Sequence, residues 1–317
     1  MNVGHNGAVS AVQPRHAARE SLAVRIAVPF GVLFTALASL STILGGIEIE
    51  PAAAQQPPTP AAVLRLPAVD VLAAEAVDPC ADEVVIAALA ADDDDAAVRA
   101  FGGGAEFRAA VAAGSAPCVS LDDPNRIWVV VNKQRPLQPE GFAPASLSGT
   151  DLRATSLSNE MLPEVTVALE RMAAASAAEG AGTLGINNGY RSYDVQTRTY
   201  ESHVIARGQP GADAVSARPG YSEHQSGLAF DLIACAVECG MHEEFGGTSQ
   251  GEWVAANAWR FGFIVRYVQG ETGTTGYLPE PWHIRYIGPE LAAAYHHGGF
   301  RTLEEFFGLP AAPDYAH

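Results

Sequence analysis

The residues best suited to chemistry fall into two short segments. In the first, Ser222-Glu223-His224-Gln225-Ser226-Gly227-Leu228-Ala229-Phe230-Asp231, an imidazole and a carboxylate stand seven positions apart. On a straight helix that separation is about 10.5 Å of rise, too far for both short side chains to lie about 2 Å from one metal ion. A chain that turns back at Gly227 and continues as a strand to Asp231 would bring them together, because glycine tolerates such a turn. His and Asp at this spacing also arise by chance, so the pair alone does not define a site. The second segment is Pro279-Glu280-Pro281-Trp282-His283. Its two prolines hold Glu280 extended and exclude a helix. Side chains alternate along a strand, so Glu280 and His283 can serve one site only if the backbone twists or bulges between them.

The elements that must position these residues follow from periodicity. Ile127 to Val131 is a continuous apolar run, expected as a buried strand. A helix opens at Pro163, carries Val165, Leu169, Met172 and Ala173 on one face, and ends at Gly180. Thr183 to Asn187 alternates like a strand before the turn Asn188-Gly189, and a helix from Tyr193 to Arg207 stops at Gly208. Leu228 to Ile233, Phe263 to Tyr267 and Trp282 to Tyr286 are further strands. Ser249 and Glu252 have capping-box spacing for a helix running to about Arg260, broken at Gly262. Strands and helices without a βαβ repeat give an α+β class.

Ser-x-His-x-x-Gly-x-Ala-x-Asp from Ser222 to Asp231, with Glu-Pro-Trp-His some fifty residues later, resembles the signature of VanY-type D-alanyl-D-alanine carboxypeptidases. Gly189-Tyr190-Arg191-Ser192-Tyr193-Asp194-Val195-Gln196, Val131-Asn132-Lys133 and Trp259-Arg260-Phe261-Gly262-Phe263 are similar to that family as well, so the likeness spans roughly residues 124–290. The resemblance implies a compact fold with a central antiparallel sheet flanked by helices. It also implies one Zn2+ per chain held by His224, Asp231 and His283. Family roles then fall on Glu280 as catalytic base, Arg191 as the cation near the scissile carbonyl, and Ser222 and Gln196 as substrate contacts. Elementary chemistry agrees: two neutral imidazoles and one carboxylate leave zinc a net positive charge and a position open to water. Glu280 could move the proton, and the fixed charge of Arg191 could stabilise an oxyanion. With Arg191 at the oxyanion, Ser222, Gln196 or a second arginine such as Arg198 would have to meet the terminal carboxylate. His203 shares a helical face with Gln196 and Tyr200, where packing is the expected role, and His242, His296 and His297 are expected to be exposed.

With 36 acidic against 19 basic side chains the formal charge is -17, which argues against nucleic-acid partners. Ile26 to Ile47 is uncharged and long enough to cross a bilayer, with Arg15, Arg19 and Arg25 before it and Glu48 and Glu50 after it. The expected organisation is therefore a cytoplasmic tail (1–25), a membrane anchor or cleavable signal (26–47), a proline-rich disordered linker (48–75), a small segment of two helices (76–120) and the zinc peptidase domain (124–310). The catalytic part would then lie outside the cell membrane. An exported chain meets an oxidising compartment, which predicts bridges between the nearest cysteines, Cys80 with Cys118 and Cys235 with Cys239. The run Asp92 to Asp95 lacks the ligand spacing of a calcium loop and reads as a solvated acidic turn.

Three functions compete. The first is a D,D-carboxypeptidase trimming peptidoglycan stem peptides by attack of a zinc-activated water. The second is an L,D-carboxypeptidase acting on tetrapeptide stems. The third is a non-catalytic zinc-bearing module that binds the wall, against which the intact Glu280 argues.

Overall fold

The structure, a computed structural model, describes residues 78–155 and 158–316. The expected tail, membrane segment and linker lie outside those residues. Among the described residues no helix is long and apolar enough to cross a membrane.

Three helices rather than two open the described chain: α1 (Glu83–Ala90), α2 (Asp94–Ala100) and α3 (Gly104–Ala112). Asp82 and Asp93 cap the first two by accepting from the backbone N–H groups of Val84 and Ala96. The acidic run is therefore not simply solvated. Asp93 starts α2, and Asp94 is buried, accepting from the Ile127 N–H at 2.8 Å and from Arg126 at 2.9 Å. The Cys80–Cys118 bridge ties this unit together, and Phe107 sets its ring 4.9 Å from Trp128. These helices thus share one hydrophobic core with the sheet and helices C-terminal to them.

Ile127 to Val131 is buried as expected but forms no strand. The Ile127 and Val129 carbonyls accept from the Arg285 guanidinium at 3.0 and 2.8 Å, so a side chain takes the place of a neighbouring strand.

A two-residue ladder joins β1 (Ser148–Gly149) to β2 (Glu160–Met161) ahead of α4 (Pro163–Ala178). The main sheet is antiparallel, in the order β3 (Thr183–Asn188), β4 (Ala229–Cys235), β6 (Glu280–Tyr286), β5 (Phe263–Tyr267). The expected α+β class with a central antiparallel sheet holds. α5 (Tyr193–Asp213) follows β3 and breaks at Gly208, whose φ of 71° interrupts the helix where a stop was expected. α6 (Ser249–Asn257) lies between β4 and β5, the short α7 (Thr272–Thr275) before β6, and α8 (Pro289–His297) and α9 (Leu303–Phe306) after it. The cap of α6 is Thr248, not Ser249. Its hydroxyl accepts from the Gly251 N–H, while the Ser249 hydroxyl donates to the Ala181 carbonyl.

Helices α4, α6 and α8 pack on the sheet. Val165, Leu169 and Met172 of α4 join Phe230, Leu232, Phe263 and Ile284 of the strands in one buried cluster, each contributing about 1.5–3 kcal/mol through its removal from water. This cluster fixes β4 against β6, the pair of strands that carries the chemistry.

Candidate metal centre

Asp231 on β4 and His283 on β6 are direct cross-strand partners. His224 reaches them from a single 3₁₀ turn, Glu223–Ser226, that ends at Gly227 with φ 75°. The chain turns back at that left-handed position and enters β4, as the seven-residue spacing required. Between β5 and β6 the register slips: Val265 faces Ile284, but Tyr267 faces Glu280. The irregularity brings Glu280 and His283 to one side, with Glu280 Oε2 3.7 Å from His283 Nδ1.

His224, Asp231 and His283 are all buried, and each offers one donor atom within 4.8 Å of the others. Asp231 Oδ1 lies 3.4 Å from His224 Nε2 and 3.4 Å from His283 Nδ1, and it has no hydrogen-bond partner. The remaining ring nitrogens are committed elsewhere. His224 Nδ1 donates to the Gly189 carbonyl at 2.8 Å, and His283 Nε2 donates to Glu223 Oε2 at 3.2 Å. Each ring therefore turns a lone pair toward Asp231, the arrangement found around metal-bound histidines. Two imidazole nitrogens and a carboxylate oxygen form a donor set that suits Zn2+.

The electrostatics match. Burial alone would raise the Asp231 pKa, but the two imidazoles hold it far below the usual carboxylate range. Burial would likewise neutralise His283, yet Asp231 and Glu223 push it up to about 9. Positive charge is favoured between ring and carboxylate, and a cation bound there would displace the His283 Nδ1 proton and free its lone pair. Glu280 is different: burial raises it to about 7, with His283 opposing and Asp231 adding to the rise.

Arg191 is held beside the triad by its backbone. Gly189 passes so close to Glu160 that a Cβ would come within 2.5 Å of the Glu160 carbonyl oxygen, so only glycine fits there. The Arg191 N–H then donates to the His224 carbonyl, and Ser192 caps α5. The guanidinium lines one cavity with His224, Asp231, Glu280 and His283. Burial lowers its pKa while Asp231 and Glu280 oppose that shift, and its Nε has no partner.

A family model described as VanY, D-alanyl-D-alanine carboxypeptidase, matches residues 158–289. The YodJ protein of Bacillus subtilis (strain 168) is 35% identical over 192 residues, which is 59% of this chain and 69% of that protein. The bifunctional D-Ala-D-Ala dipeptidase and D-Ala-D-Ala carboxypeptidase VanXYC of Enterococcus gallinarum is 30% identical over 165 residues, 50% of this chain and 82% of its own. The chain belongs to the VanY family. Among solved structures, the LdcB LD-carboxypeptidase is similar at 36% identity and a TM-score of 0.54, covering 58% of this chain and 87% of that one.

The VanY-family site opens into a cavity of about 290 Å³. Ser222 lies in its floor and is 3% exposed. Gln196 does not line it. That side chain is fully buried and donates to Ser216 Oγ and the Ala217 carbonyl, so it braces cavity-wall residues from behind. Arg198 is exposed and outside the cavity as well. His203 and Arg207 of α5 do line it, as do Trp282 and His242. His242 is not an exposed residue; its ring is half-buried and packs edge-on against Trp282 with centroids 5.0 Å apart. His296 and His297 are exposed. The Cys235–Cys239 bridge closes the end of β4, ahead of the turn that carries His242.

Sequence reasoning missed Glu223. Its carboxylate is fully buried and accepts from Arg266 Nε at 2.9 Å, Arg285 Nη1 at 3.2 Å and His283 Nε2. Burial would raise its pKa, but the two guanidinium groups override that and keep it ionised. Arg266 continues the network to Glu304 through two bonds of 3.0 and 2.8 Å. The signal lay in β5 and β6, where an arginine interrupts each apolar run. An arginine buried in a strand must meet a buried carboxylate.

Proposed function

We propose that this chain is a zinc-dependent D-alanyl-D-alanine carboxypeptidase that removes the terminal D-alanine from peptidoglycan stem peptides. The observation that carries this reading is the convergence of His224 Nε2, Asp231 Oδ1 and His283 Nδ1 beside a buried Glu280 and an unpaired Arg191. His224, Asp231 and His283 would hold the ion, which when bound supplies Lewis acidity and lowers the pKa of water. Glu280, buried beside His283, takes a proton from the attacking water and returns it to the leaving amine as the C–N bond breaks. Arg191 offsets the charge that develops on the carbonyl oxygen. Ser222, beside the triad in the cavity floor, meets the terminal carboxylate. Glu223 keeps the His283 ring turned so that Nδ1 faces the metal position.

The likeness to the LdcB LD-carboxypeptidase supports a second reading, cleavage of tetrapeptide stems by the same machinery. The uncharged run before residue 48 and the two disulfides support an exported protein, anchored by residues 26–47 with its catalytic part outside. Stems ending in D-Ala-D-Ala, with the C-terminus free or amidated, test the reaction class. Free stems, releasing D-alanine, should be cut at least about tenfold faster than amidated ones, which would release D-alanine amide, since the amide forfeits a charge-assisted contact of about 1.4 kcal/mol. Equal rates would mean an endopeptidase.

A further inference from the structure

His203 and Arg207 stand four residues apart on α5, so their side chains leave the same face of the helix, and both line the cavity. Arg126, Arg218, Arg260, Arg266, Arg285 and Arg301 each pair with a carboxylate within 4.0 Å. Among the described residues no such partner stands beside His203 or Arg207. Exposed arginines such as Arg171 and Arg198 also lack one, but Arg207 differs in lining the cavity, with the His203 ring beside it. The environment of His203 is adverse to its own charge: burial lowers its pKa, and Arg207 and Arg191 lower it further. An anion between the two side chains would relieve that repulsion and satisfy both.

Depth separates this wall from the reacting centre. Ser222, His224, Asp231 and His283 are 3%, 2%, 8% and 4% exposed, whereas His203 is half-buried and Arg207 exposed, so this wall lies on the solvent side of the cavity. The terminal residue of a carboxypeptidase substrate lies one peptide unit from the scissile carbonyl, about 3.8 Å between α-carbons, and so occupies the floor. A carboxylate met on the solvent side belongs to a different residue.

We propose that His203 and Arg207 form a subsite for an internal carboxylate of the stem peptide, separate from its C-terminal one. The planar fork of Arg207 accommodates both carboxylate oxygens, and His203 adds a third donor. This rests on the carboxypeptidase reading and names the class of stem it prefers, those whose internal carboxylates are free rather than amidated.

Two matched stems ending in D-Ala-D-Ala, differing only in whether the internal carboxylates are free or amidated, test it on the zinc-loaded full chain. The variants are Arg207→Gln and, as a charge-matched control, Arg171→Gln on the exposed face of α4. Wild type and Arg171→Gln should favour the free stem by about tenfold in kcat/KM, carried by KM, and Arg207→Gln should shrink that preference below about threefold. Equal use of both stems by wild type, or a preference that survives Arg207→Gln, overturns the subsite and leaves the carboxypeptidase reading standing. Cleavage of neither stem sinks the carboxypeptidase reading instead. Calorimetry with the same two stems then decides the subsite, which fails if wild type binds them equally.

Discussion

Replacing Glu223 by glutamine changes one atom and should change the metal site. Glu223 Oε1 faces Arg266 Nε at 2.9 Å and Arg285 Nη1 at 3.2 Å, while Oε2 accepts from His283 Nε2 at 3.2 Å. A glutamine has one oxygen for these two duties. Two buried guanidinium groups will claim it, leaving the amide NH2 against His283 Nε2. The ring must then offer Nε2 as acceptor and carry its proton on Nδ1, the nitrogen that faces Asp231 at 3.4 Å. The lone pair needed for the metal is lost from the favoured tautomer. Loss of such an outer partner costs about 10- to 100-fold in metal affinity, or about 1.4–2.8 kcal/mol. The fold should weaken as well, by about 3 kcal/mol, the low end for breaking a buried pair, because Arg266 keeps Glu304. Zinc affinity by chelator competition and the His283 tautomer by nitrogen NMR separate the two effects. Glu304→Gln is the control, since Glu304 bonds Arg266 and Asn132 but not His283. It should lower stability and leave zinc affinity unchanged. Zinc binding by Glu223→Gln within twofold of wild type, or equal weakening in both variants, would refute the reasoning.

Asp231→Ala and His283→Ala should each abolish zinc binding, whereas Glu280→Gln keeps the metal and loses about 10²–10⁴ in turnover; metal analysis with steady-state kinetics distinguishes them. Arg191→Ala should lower kcat by about 10²–10³, the usual effect of deleting one oxyanion donor, with zinc content unchanged by the same metal analysis. Replacing Cys80 and Cys118 together by serine opens a loop whose cysteines lie 38 residues apart and should cost about 4 kcal/mol by the chain-entropy estimate, read by denaturant unfolding.

Much of the positioning scaffold was legible because it is written in short-range pattern. The four strands of the main sheet, the break at Gly208 and the turn at Gly227 each follow from a local preference that the packed core reinforces. The need for an irregularity between Glu280 and His283 was visible too, although its place, opposite Val265 and Tyr267, depends on strand register. Ile127–Val131 departs from the expected strand because a continuous apolar run reports burial without saying what satisfies its carbonyls, and here Arg285 does so from 158 and 156 residues away. Gln196 escaped for the converse reason. A motif gives a residue's company but not its side-chain direction, and this one points into the wall. Glu223 sat unremarked inside the signature, although Arg266 and Arg285 in otherwise apolar strands announced that a buried carboxylate must exist.

The most direct test is to incubate the zinc-loaded chain with defined tetrapeptide and pentapeptide stems and weigh the products. A pentapeptide shortened by one alanine and free D-alanine in equal amount are expected, with both products lost after chelation and at least about 100-fold slower to form with Glu280→Gln. An intact pentapeptide beside a cleaved tetrapeptide, or no cleavage of either by the zinc-loaded protein, would contradict that expectation.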